Sequence, residues 1–275
     1  MPWKNGRDSC TPKCRITFPL PVIDSTRILR QAAINYSVGS EVIGKAYLYC
    51  QNPIEMKAVL VGATGLVGNL ILMEILNDNQ FSEVRIFVRK STGIVNPKLK
   101  EYISPLKDID SLRSEIKGDV LFNALGTTIK QEGSQAEQQR IDRDLPIAFA
   151  RLASENGVGL MLNVSSTGAS LKGNFYLRTK AEMENGTAQY FPGMIFHFRP
   201  GMLIGKRKES RLLEKIGSGV MKLTDPLLRG SFTIYRSMSA VKLAAAMVAL
   251  SKNPSGKPPV LFYDEILKCT QTLAV

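Results

Sequence analysis

Short apolar runs alternate with stretches of helical spacing along most of this chain. Continuous apolar runs of four to six residues are typical of strands covered on both faces in a parallel sheet. The predicted strands are residues 57–61, 84–88, 100–103, 119–124, 160–164, 194–198 and 259–262. The predicted helices are residues 69–76, 108–116, 136–156 (with a possible break near Pro146), one that begins near Tyr176, 209–220 and 240–250. The alternation predicts an α/β fold: a doubly wound parallel sheet of Rossmann type, in three α/β/α layers.

Residues 1–55 lack this alternation and contain no complete βαβ unit. We therefore expect residues 1–55 to form an N-terminal extension, poorly ordered or outside the core. Residues 56–275 should form the Rossmann domain, with a small C-terminal substrate region. Three arginines between residues 15 and 30 are typical of a transit peptide, but Asp8, Asp24 and Glu41 in the same extension weigh against that interpretation. The sequence therefore predicts a cytoplasmic protein with reduced cysteines.

Three glycines follow the first predicted strand at a spacing of three: Gly62, Gly65 and Gly68. A strand, a glycine turn and a helix form the opening of a dinucleotide-binding βαβ unit. Gly62 allows the tight turn, Gly65 lets a pyrophosphate approach backbone N–H groups, and Gly68 lets the helix pack closely on the strand. The alternative is an ordinary glycine turn, which the flanking strand and helix make less favourable.

Two cations, Arg89 and Lys90, stand at the tip of the second predicted strand. Proteins that prefer NAD usually place an acid here to bind the ribose hydroxyls, whereas an arginine accommodates a 2′-phosphate. In most proteins, a pair of surface cations does not indicate a ligand site. At this strand tip, without an acid beside them, they favour NADP(H).

Small and hydroxyl residues mark two further strand tips. Leu125 and Gly126 follow strand 119–124, at the edge where ligands bind in open α/β folds, although an ordinary turn would look the same. Ser165 and Ser166 follow strand 160–164 directly.

Tyr176 and Lys180 are four residues apart at the start of a predicted helix, and therefore lie on one helical face. A free tyrosine has a pKa of about 10, which a nearby ammonium lowers by stabilising the phenolate. A serine hydroxyl can hydrogen-bond a substrate carbonyl and the developing alkoxide. The Y-x-x-x-K pattern alone is common. Downstream of the glycine turn and the serine pair, it predicts acid–base catalysis by Tyr176 and Lys180, with Ser166 favoured over Ser165.

These motifs together resemble those of a known family. The segments F-N-A-L-G-T-T-I-K-Q-E-G-S, V-S-S-T-G-A-S and F-Y-L-R-T-K-A-E-M-E are similar to the Tat-interacting-protein-type branch of the atypical short-chain dehydrogenases. The likeness covers about Met56 to the C-terminus. It implies a Rossmann fold and NADPH binding. It also implies cofactor contacts from Thr64, Gly65, Leu66 and Val67 (phosphates), Arg89 and Lys90 (2′-phosphate), and Leu125 and Gly126 (ribose), with Tyr176 and Lys180 as the acid–base pair.

Two departures from the family pattern affect these assignments. The usual K-G-E after the catalytic lysine is Lys180-Ala181-Glu182 here, and Ser166 precedes Tyr176 by only ten residues. The second departure leaves open whether Ser165 or Ser166 hydrogen-bonds the substrate oxygen. The resemblance continues through the Arg199-Pro200-Gly201 turn, which should border the nicotinamide and makes Arg199 a candidate cofactor residue. Arg207 is either a further cofactor contact or a solvated cation.

Other classes of protein fit less well. The net charge is +12, but the basic residues are scattered, so no nucleic acid is expected as a partner. No apolar run approaches the roughly 18 residues of a membrane span. Cys10 and Cys14 have no second Cys/His pair to complete a metal site, and His197 lies in an apolar run as a strand residue. A semialdehyde dehydrogenase would need a nucleophilic cysteine in the catalytic domain, which offers only Cys269.

Two hypotheses for the function remain. The first is an NADPH-dependent oxidoreductase that moves a hydride to or from a carbonyl or hydroxyl of a small-molecule substrate. The second is an NADPH-binding regulatory protein with little turnover that acts through a protein partner. Turnover on a panel of carbonyl compounds, measured beside NADPH affinity, would separate them.

Overall fold

The structure, a computed structural model, describes residues 55–205, 228 and 230–271. Residues 1–54 of the predicted extension lie outside the described residues, so the boundary near residue 55 stays a prediction. The predicted helix over 209–220 and Arg207 also fall outside this part of the chain.

Nine strands occur in the described ranges, and seven of them form one sheet. They are β1 (Met56–Val61), β2 (Phe81–Val88), β3 (Leu99–Ile103), β4 (Val120–Asn123), β5 (Leu160–Val164), β6 (Met194–Phe198), β7 (Leu203–Ile204), β8 (Met238–Ser239) and β9 (Val260–Leu261). The sheet has the order β3-β2-β1-β4-β5-β6-β9, and every neighbouring pair is parallel. Strands β7 and β8 pair separately. The order reverses between β1 and β4, where open α/β sheets bind ligands.

Seven α-helices occur in the same ranges. They are α1 (Leu66–Asn77), α2 (Ile129–Glu132), α3 (Gln135–Gln139), α4 (Leu145–Glu155), α5 (Phe175–Tyr190), α6 (Ala240–Lys252) and α7 (Tyr263–Gln271), with 3₁₀ turns at Asp110–Glu115 and Gly230–Tyr235 and a π turn at Arg140–Asp144. None of the helices within the described ranges is both long and apolar enough to cross a membrane.

Both faces of the sheet are buried, which explains the continuous apolar runs. On β1, Ala58 and Leu60 point into one core with α1, α6 and α7, whereas Val59 and Val61 point into another with α4. Helix α5 packs against α4. The predicted doubly wound parallel sheet in three layers is therefore confirmed.

Several elements differ from the sequence prediction. The helix expected over 136–156 begins at Gln135, ends at Glu155 and widens into the π turn just before Pro146. Proline has no N–H for the carbonyl four residues earlier, so the backbone before it departs from α geometry. The helix expected over 108–116 is a 3₁₀ turn. Helices α2 and α7 were not predicted; α2 has only four residues, too few for a helical period of apolar positions.

Candidate active site

The glycine turn leaves no room for side chains. Gly62 has φ +81°, and a Cβ there would lie 2.5 Å from the carbonyl carbon of Ala124 at the tip of β4. A Cβ on Gly68 would lie 2.0 Å from the Gly62 carbonyl oxygen. Close packing at Gly68 thus matches its predicted role. The backbone of α1 can approach β1 and β4 only because both positions are glycine.

The N-terminus of α1 follows this turn and has no side-chain cap. Gly65 is the N-cap of α1, and the first turn carries no acid. Thr64 and Gly65 are exposed and Leu66 is half-buried, whereas Val67 is buried in the core. Free backbone N–H groups at a helix N-terminus favour phosphate. Val67 can contribute its backbone to such a contact but not its side chain.

The tip of β4 is joined to the lysine of the predicted catalytic pair. Lys180 is 3% exposed, and its Nζ donates to the Leu125 carbonyl oxygen over 3.4 Å. A Cβ on Gly126 would lie 3.8 Å from the same Nζ. The structure therefore brings Lys180 together with the two residues predicted to line the ribose.

Tyr176 and both serines line one cleft. Helix α5 begins after Asn174, whose side chain accepts from the Leu177 N–H over 3.0 Å, and this cap sets the first turn that carries Tyr176. The cleft holds about 510 Å³. Its lining residues in the described part of the chain are Leu66, Ser165, Ser166, Thr167, Tyr176, Pro200, Gly201, Met202, Leu203, Gly205 and Tyr235. Residues from the N-terminus of α1, the loop after β5, helix α5 and the segment after β6 thus converge there.

The two serines differ in what their hydroxyls contact. Ser165 Oγ is buried and has no hydrogen-bond partner in the described structure, whereas Ser166 Oγ donates to the Thr167 carbonyl oxygen over 3.3 Å. A buried hydroxyl without a partner costs free energy. A ligand oxygen in the cleft would offset that cost for Ser165, so both serines stay candidates.

A row of buried polar side chains, which no pattern in the sequence predicts, crosses the sheet just below this edge. Asn123, Asn163 and His197 are register partners on β4, β5 and β6. Asn123 Nδ2 donates to Asn163 Oδ1 over 3.0 Å, and Asn163 Nδ2 donates to His197 Nδ1 and to Thr187 Oγ1 over 3.3 Å each. At the other end, Asn123 Oδ1 accepts from the Leu125 N–H over 3.2 Å. The row therefore connects the loop that contacts Lys180 to helix α5.

His197 in this row is held neutral by its surroundings. Burial lowers the pKa of His197, and the nearby Arg199 adds to that effect while Glu184 opposes it. Asn163 Nδ2 can only donate, so Nδ1 of the ring is the acceptor and carries no proton. The expectation that His197 is a strand residue agrees with its place on β6.

Arg199, a predicted cofactor residue, contacts helix α5. Its Nε and Nη2 donate to the two carboxylate oxygens of Glu184 over 2.9 and 2.5 Å. Its guanidinium also lies 5.9 Å from the ring centre of Phe262. Arg199 is not among the residues that line the cleft. A cofactor contact from Arg199 stays a prediction that this ion pair does not support.

The predicted 2′-phosphate site contains an acid as well as two cations. Arg89 and Lys90 are exposed after β2. Arg89 Nη1 lies 3.6 Å from Glu132 Oε2, at the end of α2. Sequence reasoning missed Glu132 because it comes from a different element, more than forty residues after the strand tip.

No alternative chemistry emerges elsewhere in the described chain. Burial raises the pKa of the Cys269 thiol, which donates to the Glu265 carbonyl oxygen on α7, so this cysteine is a poor nucleophile. No three histidine, cysteine, aspartate or glutamate residues of the described ranges come together as a metal would need.

Comparison with known proteins places the chain in a family. No family model matches it. The protein FMP52, mitochondrial, of Meyerozyma guilliermondii is 32% identical, over 75% of this chain and 90% of its own length. The Saccharomyces cerevisiae protein of the same name is 30% identical, over 75% of this chain and 92% of its own. The chain belongs to the FMP52 family.

This membership corrects the predicted location. Relatives in several fungi are named as mitochondrial, so the cytoplasmic prediction is wrong. That prediction rested on the interpretation of the cysteines as reduced, and on Asp8, Asp24 and Glu41 among the basic residues of the N-terminal extension. A few acids do not exclude mitochondrial targeting.

Solved structures share the fold of this FMP52 family member at low identity. The Bordetella bronchiseptica enzyme WbmG, in complex with NAD, is 15% identical with a TM-score of 0.57, over 76% of this chain and 73% of its own. A short-chain dehydrogenase/reductase superfamily protein from Agrobacterium tumefaciens with bound NAD is 12% identical with a TM-score of 0.58, over 79% and 82%. The Rossmann fold of short-chain dehydrogenases is therefore shared.

Proposed function

We propose that this protein is a mitochondrial NADP(H)-dependent oxidoreductase of the atypical short-chain dehydrogenase class, close to its Tat-interacting-protein-type branch. The observation that carries the proposal is the shared cleft: Ser165, Ser166 and Tyr176 line it together with Leu66, which follows the glycine turn. Lys180 lies one helical turn after Tyr176 and contacts the loop after β4. Fold neighbours solved with NAD support a nicotinamide dinucleotide. The FMP52 relatives support the location.

The residues present fit a nicotinamide dinucleotide. The glycines let the backbone of the turn pack tightly on β4, and the N-terminus of α1, which has no side-chain cap and no acid in its first turn, suits a pyrophosphate. Thr64, Gly65 and the backbone of Leu66 and Val67 would hold the phosphates. Leu125, Gly126 and Lys180 would hold the nicotinamide ribose, and Arg89 with Lys90 would meet a 2′-phosphate. When bound, this cofactor supplies or accepts the hydride.

The side chains of the cleft supply the proton and orient the substrate. The Tyr176 hydroxyl donates a proton to the carbonyl oxygen during reduction and takes it back during oxidation. The buried Lys180 ammonium stabilises the phenolate that remains. Ser165 or Ser166 donates a hydrogen bond to the same substrate oxygen. The described lining carries no charged side chain, which suits a substrate that is uncharged around the reacting carbon.

Replacement of Tyr176 by phenylalanine tests the mechanism. Tyr176→Phe removes the transferable proton and keeps the ring, so turnover should fall by about 100-fold or more. NADPH affinity should change little. Tyr190→Phe is the matched control, because Tyr190 lies on the same helix and does not line the cleft. Ser165→Ala and Ser166→Ala, measured beside them, identify the serine that binds the substrate.

The measurements are steady-state turnover on a panel of carbonyl compounds and NADPH affinity by titration. Full turnover in Tyr176→Phe would refute the acid–base assignment. Tight NADPH binding without turnover on any compound would favour the alternative, a regulatory protein that acts through a protein partner. Failure to bind either nicotinamide dinucleotide would overturn both readings.

A further inference from the structure

Glu132 is fixed in place by the loop that follows β4. One carboxylate oxygen, Oε1, accepts from Thr127 Oγ1 over 3.1 Å, while Oε2 faces Arg89. Thr127 is held in turn, because its N–H donates to Asp142 Oδ1 over 2.8 Å and its carbonyl accepts from Gln138 over 3.3 Å. The Glu132 side chain is 13% exposed and that of Arg89 is 64% exposed. The carboxylate is therefore the fixed partner of the pair and the arginine the movable one.

Helix α2 ends at this residue for a local reason. Gly133 follows Glu132 with φ +82°, and its N–H donates to the Ile129 carbonyl oxygen over 2.7 Å. This left-handed cap stops the helix and sets the direction of its last side chain. The loop and the helix end together aim an acid at the strand tip where the sequence shows only cations.

We propose that Glu132 is a cofactor-specificity residue that reduces the ratio of NADPH affinity to NADH affinity. The inference rests on the dinucleotide site proposed above. A phosphomonoester carries about −1.5 to −2 charges near neutral pH, so a 2′-phosphate would have to draw Arg89 away from Glu132 and would be repelled by that fixed carboxylate. An unphosphorylated ribose would instead donate its 2′-hydroxyl to the same carboxylate. The site thus accepts both cofactors.

The experiment compares NADPH and NADH affinities of the full-length protein with those of Glu132→Gln. Removal of the charge should tighten NADPH binding roughly 10-fold and leave NADH binding equal or weaker. Glu137→Gln is the matched control. The charge of Arg89 also acts on Glu137, but the Glu137 carboxylate binds Arg140, over 3.0 and 2.6 Å. The control should change the NADPH-to-NADH ratio less than about threefold. Glu132→Ala should shift the ratio in the same direction as the glutamine variant.

Arg89→Ser in both backgrounds separates this inference from the proposed function. If Arg89→Ser lowers NADPH affinity and abolishes the effect of Glu132→Gln, the inference holds. If Arg89→Ser lowers NADPH affinity but Glu132→Gln shifts the ratio no more than Glu137→Gln does, only the role of Glu132 falls. If Arg89→Ser leaves the ratio unchanged, no 2′-phosphate binds at Arg89. In that case, both the proposed cofactor choice and the inference are overturned.

Discussion

The ion pair between Arg199 and Glu184 offers a direct test of whether Arg199 serves the cofactor or the fold. The side chain of Glu184 is 7% exposed and that of Arg199 is 21% exposed. Loss of one partner from a buried pair typically costs 3–5 kcal/mol, since the other charge stays buried without compensation. Arg199 is partly open to water, so we expect Arg199→Met to lower the free energy of unfolding by about 2–4 kcal/mol.

A double-mutant cycle measures the coupling. Arg199→Met together with Glu184→Met removes both charges, and such replacements by apolar residues are often close to neutral. The double variant should therefore recover most of the stability that Arg199→Met loses. A loss of 2–4 kcal/mol corresponds to a decrease of roughly 5–15 °C in Tm for a domain of this size. Thermal melting followed by circular dichroism provides the measurement.

NADPH affinity of the same variants decides the role. If Arg199 only joins α5 to β6, NADPH affinity in Arg199→Met should stay within about threefold when measured well below its Tm. A loss of tenfold or more in a fully folded variant would show that Arg199 contacts the cofactor. Melting unchanged by Arg199→Met would refute the argument from the buried ion pair.

Two further predictions concern the glycine turn and the buried histidine. Gly68→Ala should lower the free energy of unfolding by roughly 2–3 kcal/mol and weaken dinucleotide binding, because its Cβ would lie 2.0 Å from the Gly62 carbonyl oxygen. Gly159→Ala is the control, because its Cβ would meet nothing within 4 Å. Equal melting temperatures of the two variants would contradict the packing argument. Burial lowers the folded-state pKa of His197, the single histidine, so the unfolded chain binds the extra proton first. The free energy of unfolding should therefore decrease as the pH falls from the unfolded-state pKa of about 6.5 toward the lower folded-state pKa. In thermal melts between pH 7.5 and 5, His197→Asn should lack this pH-dependent loss of stability.

The parts of the site that were predictable from the sequence have local signals. Gly62 and Gly68 are required by backbone contacts within seven residues of chain and with one neighbouring strand. Tyr176 and Lys180 share a helical face because of their spacing alone. The polar row of Asn123, Asn163 and His197 has no such signal. Its members meet only because three strands pair in a particular register, over 40 and 34 residues of sequence.

The preference between NADPH and NADH also depends on residues from distant elements, which have no local signal in the sequence. The strand tip predicts NADP(H) from Arg89 and Lys90, and that argument considers only the element on which the cations lie. The acid comes instead from a four-residue helix, too short for any apolar periodicity, and is held by Thr127 and Gly133. A 2′-phosphate would interact with the cations after β2 and with the acid on α2 together, because a Coulomb interaction depends on distance and not on which strand or helix carries the charge. A strand-tip rule therefore predicts the preference only where no other element places an acid near it, and here Glu132 does.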